Sequence, residues 1–297
     1  MSEKALCSVC FRQCRLEEGQ FGPCLARACR KGRVLPENYG KVTALALDPI
    51  EKKPLYHFFP GSMILSLGSY GCNLFCPFCQ NCEISRAVEK EDQTLVFQRR
   101  GGESYSIPFR ILSPEEAKNL ALSLKDKGNI GLAFTYNEPL VGYEYVRDTA
   151  RLVKEAGMKT VLVTNGEASQ EVLDEIVPYV DAMNIDLKAF REKTYRDVLG
   201  GNLNMVKSFI ERAAEVCHIE ITSLIVPGLN DQPQEVREMA KFIRGLKGGK
   251  GEEICYHLSR YFPRYQMVDR PPTDPALLYR LKEEAEKELK NVFLGNL

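Results

Sequence analysis

Neither sign of charge prevails in this sequence: 40 Lys and Arg stand against 40 Asp and Glu in 297 residues. A dedicated nucleic-acid binder is usually basic, so no nucleic-acid partner is expected. No apolar run approaches the ~18 residues that a membrane span needs. The opening MSEKALCSVC lacks a hydrophobic leader as well, so no membrane partner is expected and the expected location is cytoplasmic. Histidine is scarce, with only His57, His218 and His257. There is no recognisable Ser/His/Asp arrangement, no glycine loop that would cradle phosphate, no internal repeat and no low-complexity tract. What remains is an ordinary globular balance of 44% apolar and 27% charged residues, long enough to bury a full core without staples.

Cysteine is the component out of the ordinary. Eleven in 297 is too sparse for a disulfide scaffold, and a reducing compartment keeps thiols free. Nine of them (Cys7, Cys10, Cys14, Cys24, Cys29, Cys72, Cys76, Cys79 and Cys82) fall in the first 82 residues, and only Cys217 and Cys255 follow. Such clustering points to metal ligation rather than cross-linking.

Residues 1–40 are poor in apolar periodicity and read as a small Cys-rich, metal-held module. Residues 41–63 read as an extended connection with proline-set turns. From 64 to 297 short apolar runs alternate with amphipathic stretches. Strands are expected at Ile64–Gly68, Ile130–Phe134, Thr160–Val163, Ala182–Leu187, Ile219–Val226 and Ile254–Leu258. Between them, Ser113-Pro114-Glu115-Glu116 has the form of a capping box with Pro at the first helical position, opening a helix to about Lys127. Further helices are expected up to Ala156, over 169–178, 191–198, 203–215 and 233–246. A last one, Pro275–Lys290, carries Glu283→Lys287 and Glu286→Lys290 pairs. Six β-then-α units imply an α/β fold with a parallel sheet, doubly wound or curled into a barrel. Either way the site gathers at the C-terminal strand ends. One segment interrupts the alternation: residues 88–112 suit a hairpin turning at Gly101-Gly102, either a surface insertion or a lid over the barrel mouth.

The run Cys72-Asn-Leu-Phe-Cys76-Pro-Phe-Cys79 follows the first of these strands directly, with C-x3-C-x2-C spacing. A plain electron-transfer [4Fe–4S] cluster takes four ligands. Three thiolates leave one iron open, as catalytic metal sites leave a position open. Cys82 continues the series, either as a fourth ligand that would close the site or as a small buried thiol. This spacing, with Phe78 just before the third cysteine, resembles the signature of the radical S-adenosylmethionine (SAM) superfamily. The resemblance implies a partial (β/α)6 TIM-type barrel and a [4Fe–4S] cluster on Cys72, Cys76 and Cys79. SAM would chelate the open iron and be cleaved reductively to a 5′-deoxyadenosyl radical that abstracts hydrogen from a substrate. An outside one-electron donor, a ferredoxin or flavodoxin, is implied too.

The other polar motifs also lie at strand ends. Glu138 in TYNEP takes the place of a superfamily Glu that contacts the SAM amino group, and is preferred to Glu103 of Gly101-Gly102-Glu103, which falls in the hairpin. Thr164, Asn165, Asp186 and Lys188 resemble the residues that surround the SAM methionine and ribose in glycyl-radical-enzyme activating enzymes. His257 matches a His near SAM in the same enzymes. An Asp–Lys pair can equally be a surface ion pair of little value. Cys7, Cys10, Cys14 and Cys24 offer four soft ligands for zinc or for a second iron–sulfur cluster. The stretches CSVCFRQC, EEGQFGPC, DPIEKKPLYHFFPGS and GCNLFCPFCQN resemble the radical SAM component of the AmmeMemoRadiSam system, a family often described as pyruvate formate-lyase activating enzymes. That likeness implies either generation of a glycyl radical on a partner enzyme, or modification of a side chain or small molecule. Outside enzyme chemistry, an iron–sulfur electron carrier or a zinc-held interaction module would also account for the cysteines.

Overall fold

A computed structural model of the chain describes residues 4–90, 92–99 and 101–297. Its centre is one eight-stranded sheet. The strands are β1 (Ala44–Pro49), β2 (Met63–Gly68), β3 (Asn129–Phe134), β4 (Lys159–Thr164), β5 (Ala182–Asp186), β6 (His218–Ile225), β7 (Tyr256–Arg260) and β8 (Val292–Gly295). They lie side by side in sequence order, β1 antiparallel to β2 and all others parallel. Helices α1 (Pro114–Ser123), α2 (Tyr143–Glu155), α3 (Gln170–Ile176), α4 (Leu203–Val216), α5 (Pro233–Gly249) and α6 (Pro275–Ala285) alternate with the strands. The result is a partial barrel: the βα alternation leaves open a doubly wound sheet or a barrel, and the resemblance of the cysteine motif implies the barrel.

Both faces of the sheet are buried, so the strands read as nearly continuous apolar runs. Leu65, Leu67, Leu132, Phe134, Leu162, Met183 and Ile185 belong to the main core with the helices. Their neighbours Ile64, Ala133, Val161 and Ala182 turn to the other face and pack on Ile50, Leu55 and Phe58. Each such fully buried Leu or Ile contributes about 1.5–3 kcal/mol. Residues 50–58 thus fill the barrel floor. The floor is also polar in part: Glu220 of β6 is completely enclosed and accepts the Tyr56 and His57 amides at 3.0 and 2.8 Å.

Several expectations are corrected here. The 41–63 stretch is not merely a connection; it supplies edge strand β1 and the floor. The sheet gains β8 beyond the six expected parallel strands. The last helix ends at Ala285, not at Lys290. The two expected pairs on it are replaced: Lys287 meets Glu284, Lys290 reaches Glu252 and Glu253, and Glu286 meets Lys282. The helix opened at Ser113 stops at Ser123 rather than about Lys127, and the one expected over 191–198 is only Glu192–Thr194 before a wider turn, whereas two local expectations hold. Ser113 and Glu116 form the capping box. Strands Thr94–Gln98 and Ser104–Pro108 pair as a hairpin, with Gly101 and Gly102 at φ +114° and +94° in its turn.

Residues 4–40 form short antiparallel ribbons, Ala5–Leu6 with Arg15–Leu16 and Arg27–Arg30 with Arg33–Pro36. They are fastened to the barrel by the Cys72 N–H, which donates to the Cys24 carbonyl at 3.1 Å. The Ser169 N–H donates to the Val9 carbonyl at 2.9 Å. Arg27 pairs with Glu144 of α2 through both terminal nitrogens. Close approach depends on Gly71, which sits at φ +88°, where a Cβ would stand 2.6 Å from Ala26 Cβ and 2.7 Å from the Cys24 carbonyl oxygen. Gly71→Ala is therefore expected to cost on the order of 1–3 kcal/mol from the left-handed backbone alone, with the clash added. A urea midpoint equal to that of the unchanged protein would show that the junction yields without cost.

Candidate functional site

The C-terminal strand ends enclose a cavity of about 380 Å³, within the usual size range of small-molecule sites. Cys72, Cys76, Phe78, Cys79, Glu138, Thr164, Asn165, Asp186 and Lys188 all line it. His257 does not. Its ring lies lower in the barrel, where Nε2 meets Glu220 Oε2 at 2.6 Å and the imidazole stacks on Phe293. His218 Nε2 approaches the other oxygen of Glu220 at 3.1 Å. Burial alone would raise the Glu220 pKa, but these imidazoles and two backbone amides hold it down at about 2. His257 thus serves the floor in this arrangement.

The cysteine loop leaves β2 with its own hydrogen bonds supplied locally. Asn137 Nδ2 donates to the Tyr70 and Gly71 carbonyls at 3.0 and 3.1 Å, just ahead of Cys72. Arg86 donates to the Cys72 carbonyl and to that of Pro23. The Cys72 sulfur accepts from the Leu74 amide at 3.4 Å and from Asn165 Nδ2 at 3.7 Å. Burial pushes the Cys72 thiol up, and Glu138 adds to the shift; burial pushes Cys76 up to about 12. Soft-metal binding here must therefore displace protons.

Glu138 is buried just beyond the end of β3 and accepts three hydrogen bonds: from the Leu140 amide at 3.0 Å, Thr164 Oγ1 at 2.7 Å and the Asn165 amide at 2.7 Å. Burial nevertheless dominates these donors and, with Asp186 nearby, lifts its pKa to about 7. A desolvated carboxylate in this state is relieved by a cation, and an ammonium group suits it. Asp186 and Lys188 pair at 2.7 Å. Burial pulls the Lys188 ammonium down, but Asp186 and Cys76 more than reverse this. Asn230 fixes the Lys188 carbonyl at 2.8 Å, so the Pro227–Asp231 turn acts on the site through the backbone.

Sequence reasoning missed Lys53, Asp48 and Asn73. Lys53 lines the cavity although it lies in the supposed connection; Asp48 binds it at 2.9 Å and also accepts Tyr136 Oη at 2.9 Å. Burial would raise Asp48, but Lys53 and Tyr136 bring it to about 2. Tyr136 itself is held at φ +73°, the kind of strain that persists where surroundings over-determine a conformation. Asn73, between two cysteine groups, accepts from Asn165 Nδ2 at 2.9 Å and donates to the Glu167 carbonyl at 2.7 Å. Only its place beside Cys72 could have flagged it. Cys82 is off the cavity, packed with Tyr70, Leu95, Phe97 and Phe109 beneath the hairpin. Glu103 lies at the hairpin's far end, beside Arg99 and Tyr265. Cys7, Cys10, Cys14 and Cys24 line a second, much smaller space beside Asn73.

A family model described as the radical SAM superfamily matches residues 67–243. The chain is 36% identical over 296 residues to the uncharacterized protein MJ0808 of Methanocaldococcus jannaschii, across 99% of this chain and 82% of that protein. It is 25% identical over 192 residues to the pyruvate formate-lyase-activating enzyme of Clostridium pasteurianum, across 63% of this chain and 72% of that enzyme. Among solved structures, Streptococcus suis SuiB bound to S-adenosylmethionine aligns at a TM-score of 0.55 and 16% identity, over 77% of this chain and 48% of that one. At that identity the likeness is one of fold.

The buried carboxylate makes stability depend on pH in a definite sense. Glu138 goes from an ordinary 4.5 to about 7 on folding. The metal-free folded state therefore holds a proton that the unfolded state releases, and stability falls as pH rises from 4.5 to 7. Glu138→Gln should flatten that fall, leaving the share of Glu167, which burial lifts to about 8. Urea midpoints across this range with an unaltered slope would count against a desolvated Glu138.

Proposed function

Because the chain belongs to the radical SAM superfamily, we propose that Cys72, Cys76 and Cys79 hold three irons of a [4Fe–4S] cluster whose fourth iron binds SAM. The donor set fits: three half-buried thiols on one loop, with amide donors at the Cys72 sulfur and an open cavity beside them. When bound, such a cluster supplies the electron that splits SAM to methionine and a 5′-deoxyadenosyl radical able to take hydrogen from a substrate. The protein's part is orientation and exclusion of water. Glu138 receives the SAM ammonium, held in place by Thr164 and the Asn165 amide. Asp186 and Lys188 present a fixed pair of charges to the remaining polar groups, and Phe78 walls the cluster side. The carrying observation is that three thiols and a desolvated carboxylate from separate strand ends share one cavity.

For the substrate, we assign a glycine of a partner enzyme. The support is the resemblance to pyruvate formate-lyase-activating enzymes, of which the Clostridium pasteurianum protein is one. The electron comes from a ferredoxin or flavodoxin. We assign a second metal, zinc or iron–sulfur, to Cys7, Cys10, Cys14 and Cys24. Among the described residues no helix is long and apolar enough to cross a membrane.

Anaerobic reconstitution followed by electron paramagnetic resonance tests the assignment. SAM should change the reduced cluster's signal and yield 5′-deoxyadenosine, and Cys72→Ala should abolish both the SAM-dependent change and the 5′-deoxyadenosine. Glu138→Gln should weaken SAM binding roughly tenfold to a hundredfold, the worth of a hydrogen bond to a charged group. A signal indifferent to SAM, with no 5′-deoxyadenosine, would sink the proposal. 5′-Deoxyadenosine without a glycyl radical on any partner would instead make this a side-chain or small-molecule modifying enzyme.

A further inference from the structure

We propose that Phe75, set between the guanidinium groups of Arg12 and Arg86, is the docking point for an acidic one-electron carrier protein that reduces the cluster. This rests on the assignment of a cluster to Cys72, Cys76 and Cys79, and adds the place where its electron enters. Phe75 lies between Cys72 and Cys76 on the loop that bears them, and it is 40% exposed. It is nevertheless held firmly. Its amide donates to the Leu199 carbonyl at 2.8 Å. Its ring lies against Gly200, where a Cβ would stand 2.7 Å from Phe75 Cδ2. The Arg12 guanidinium stands 4.5 Å from the ring centre and that of Arg86 4.8 Å. A single exposed aromatic needs no explanation. A rigid one between two arginines, on the loop that carries the metal ligands, has the make-up of an interface centre, where aromatic residues and Arg are enriched.

Two observations select the partner. The first is charge. Among the described residues, every hydrogen bond that either guanidinium makes goes to a backbone carbonyl. Arg12 donates to those of Asn73 and Gly200, and Arg86 to those of Ser85, Pro23 and Cys72. Both side chains are half-buried and neither charge is met by a carboxylate at hydrogen-bond distance. Glu167 is near enough for Arg12 to act on it, but burial lifts its pKa to about 8, so at neutral pH it is mostly protonated. A partner that brings carboxylates completes both arginines, whose planar forks suit that group. The second observation is position. Leu74, Cys76 and Phe78 line the cavity, whereas Phe75, Arg12 and Arg86 do not. A protein seated on Phe75 therefore meets the outer side of the loop and not the mouth through which a substrate arrives. What crosses the loop from there is an electron. The carrier is oxidised by one electron and the cluster reduced by one, with no bond made or broken.

The test uses the full chain, reconstituted anaerobically, with a flavodoxin of net negative charge as the probe. Titration calorimetry with oxidised flavodoxin should show binding that weakens roughly tenfold between about 0.05 and 0.3 M salt. Phe75→Ser should weaken it by roughly tenfold or more. Phe75→Glu sets a carboxylate between the two guanidiniums and should bind too weakly to detect at either salt. Stopped-flow reduction of the cluster by reduced flavodoxin should slow in the same order. Dithionite is too small to need the face. It should reduce wild type and both variants at rates within about twofold of one another, and each should then form 5′-deoxyadenosine from SAM, which shows that the variants are folded and loaded. A wild type that flavodoxin neither binds nor reduces, binding indifferent to salt, or variants that flavodoxin binds and reduces as it does the wild type each overturn the proposal. Salt-sensitive binding that Phe75→Ser removes, in a protein that forms no 5′-deoxyadenosine even with dithionite, would leave the docking face standing and remove the barrel assignment instead.

Discussion

The amide of Cys72 donating to the carbonyl of Cys24 is the contact on which the remaining geometry depends. It joins the N-terminal ribbons to the loop that carries the three cavity cysteines, and it exists only because Gly71 has no side chain to hold the strands apart. Arg86 repeats the tie, reaching the Pro23 and Cys72 carbonyls from one guanidinium. Arg12 adds a third, donating to the carbonyl of Asn73. A loop that leaves a strand and ligates metal has many conformations available to it. Three separate clamps from one module remove most of that freedom before any metal arrives, which is how a precise site is built on irregular backbone.

The far wall of the cavity is organised differently. There the side chains come from strand ends, whose positions the sheet already fixes. Glu138, Thr164 and the Asn165 amide close a hydrogen-bonded set between β3 and β4. Asp186 and Lys188 form another at the end of β5. The low polarity of the surroundings raises what is at stake in each contact, because an unmet charge costs far more there than in water. The lifted pKa of Glu138 records that cost directly. The site is therefore strained electrostatically on one side and constrained mechanically on the other.

Much of this was legible in the sequence because it is local. The spacing of Cys72, Cys76 and Cys79, the capping box at Ser113, the Gly101-Gly102 turn and the polar residues after each strand all depend on neighbours a few positions away. What escaped depends on partners far along the chain. Ala44–Pro49 pairs with a strand that begins fourteen residues after its end, across prolines that read as turns. Lys53 is a surface residue by composition, and only Asp48 and Tyr136 make its burial tolerable. Lys290 answers to Glu252 and Glu253, on another element, instead of to its own helix. His257 is the instructive case: a strand-end position suggested the mouth, whereas its partner Glu220 sits a layer below. Position along the strand is visible in sequence, but the depth at which a side chain finds its partner is not.

The filled barrel floor sets the direction of access. Ile50, Leu55 and Phe58 close the space between the strands from below, and Glu220 with its imidazoles seals the polar part. The cavity therefore has no passage past Ile50, Leu55 and Phe58, and whatever reaches the three cysteines comes and goes on the side of the strand ends, where the walls part rather than meet.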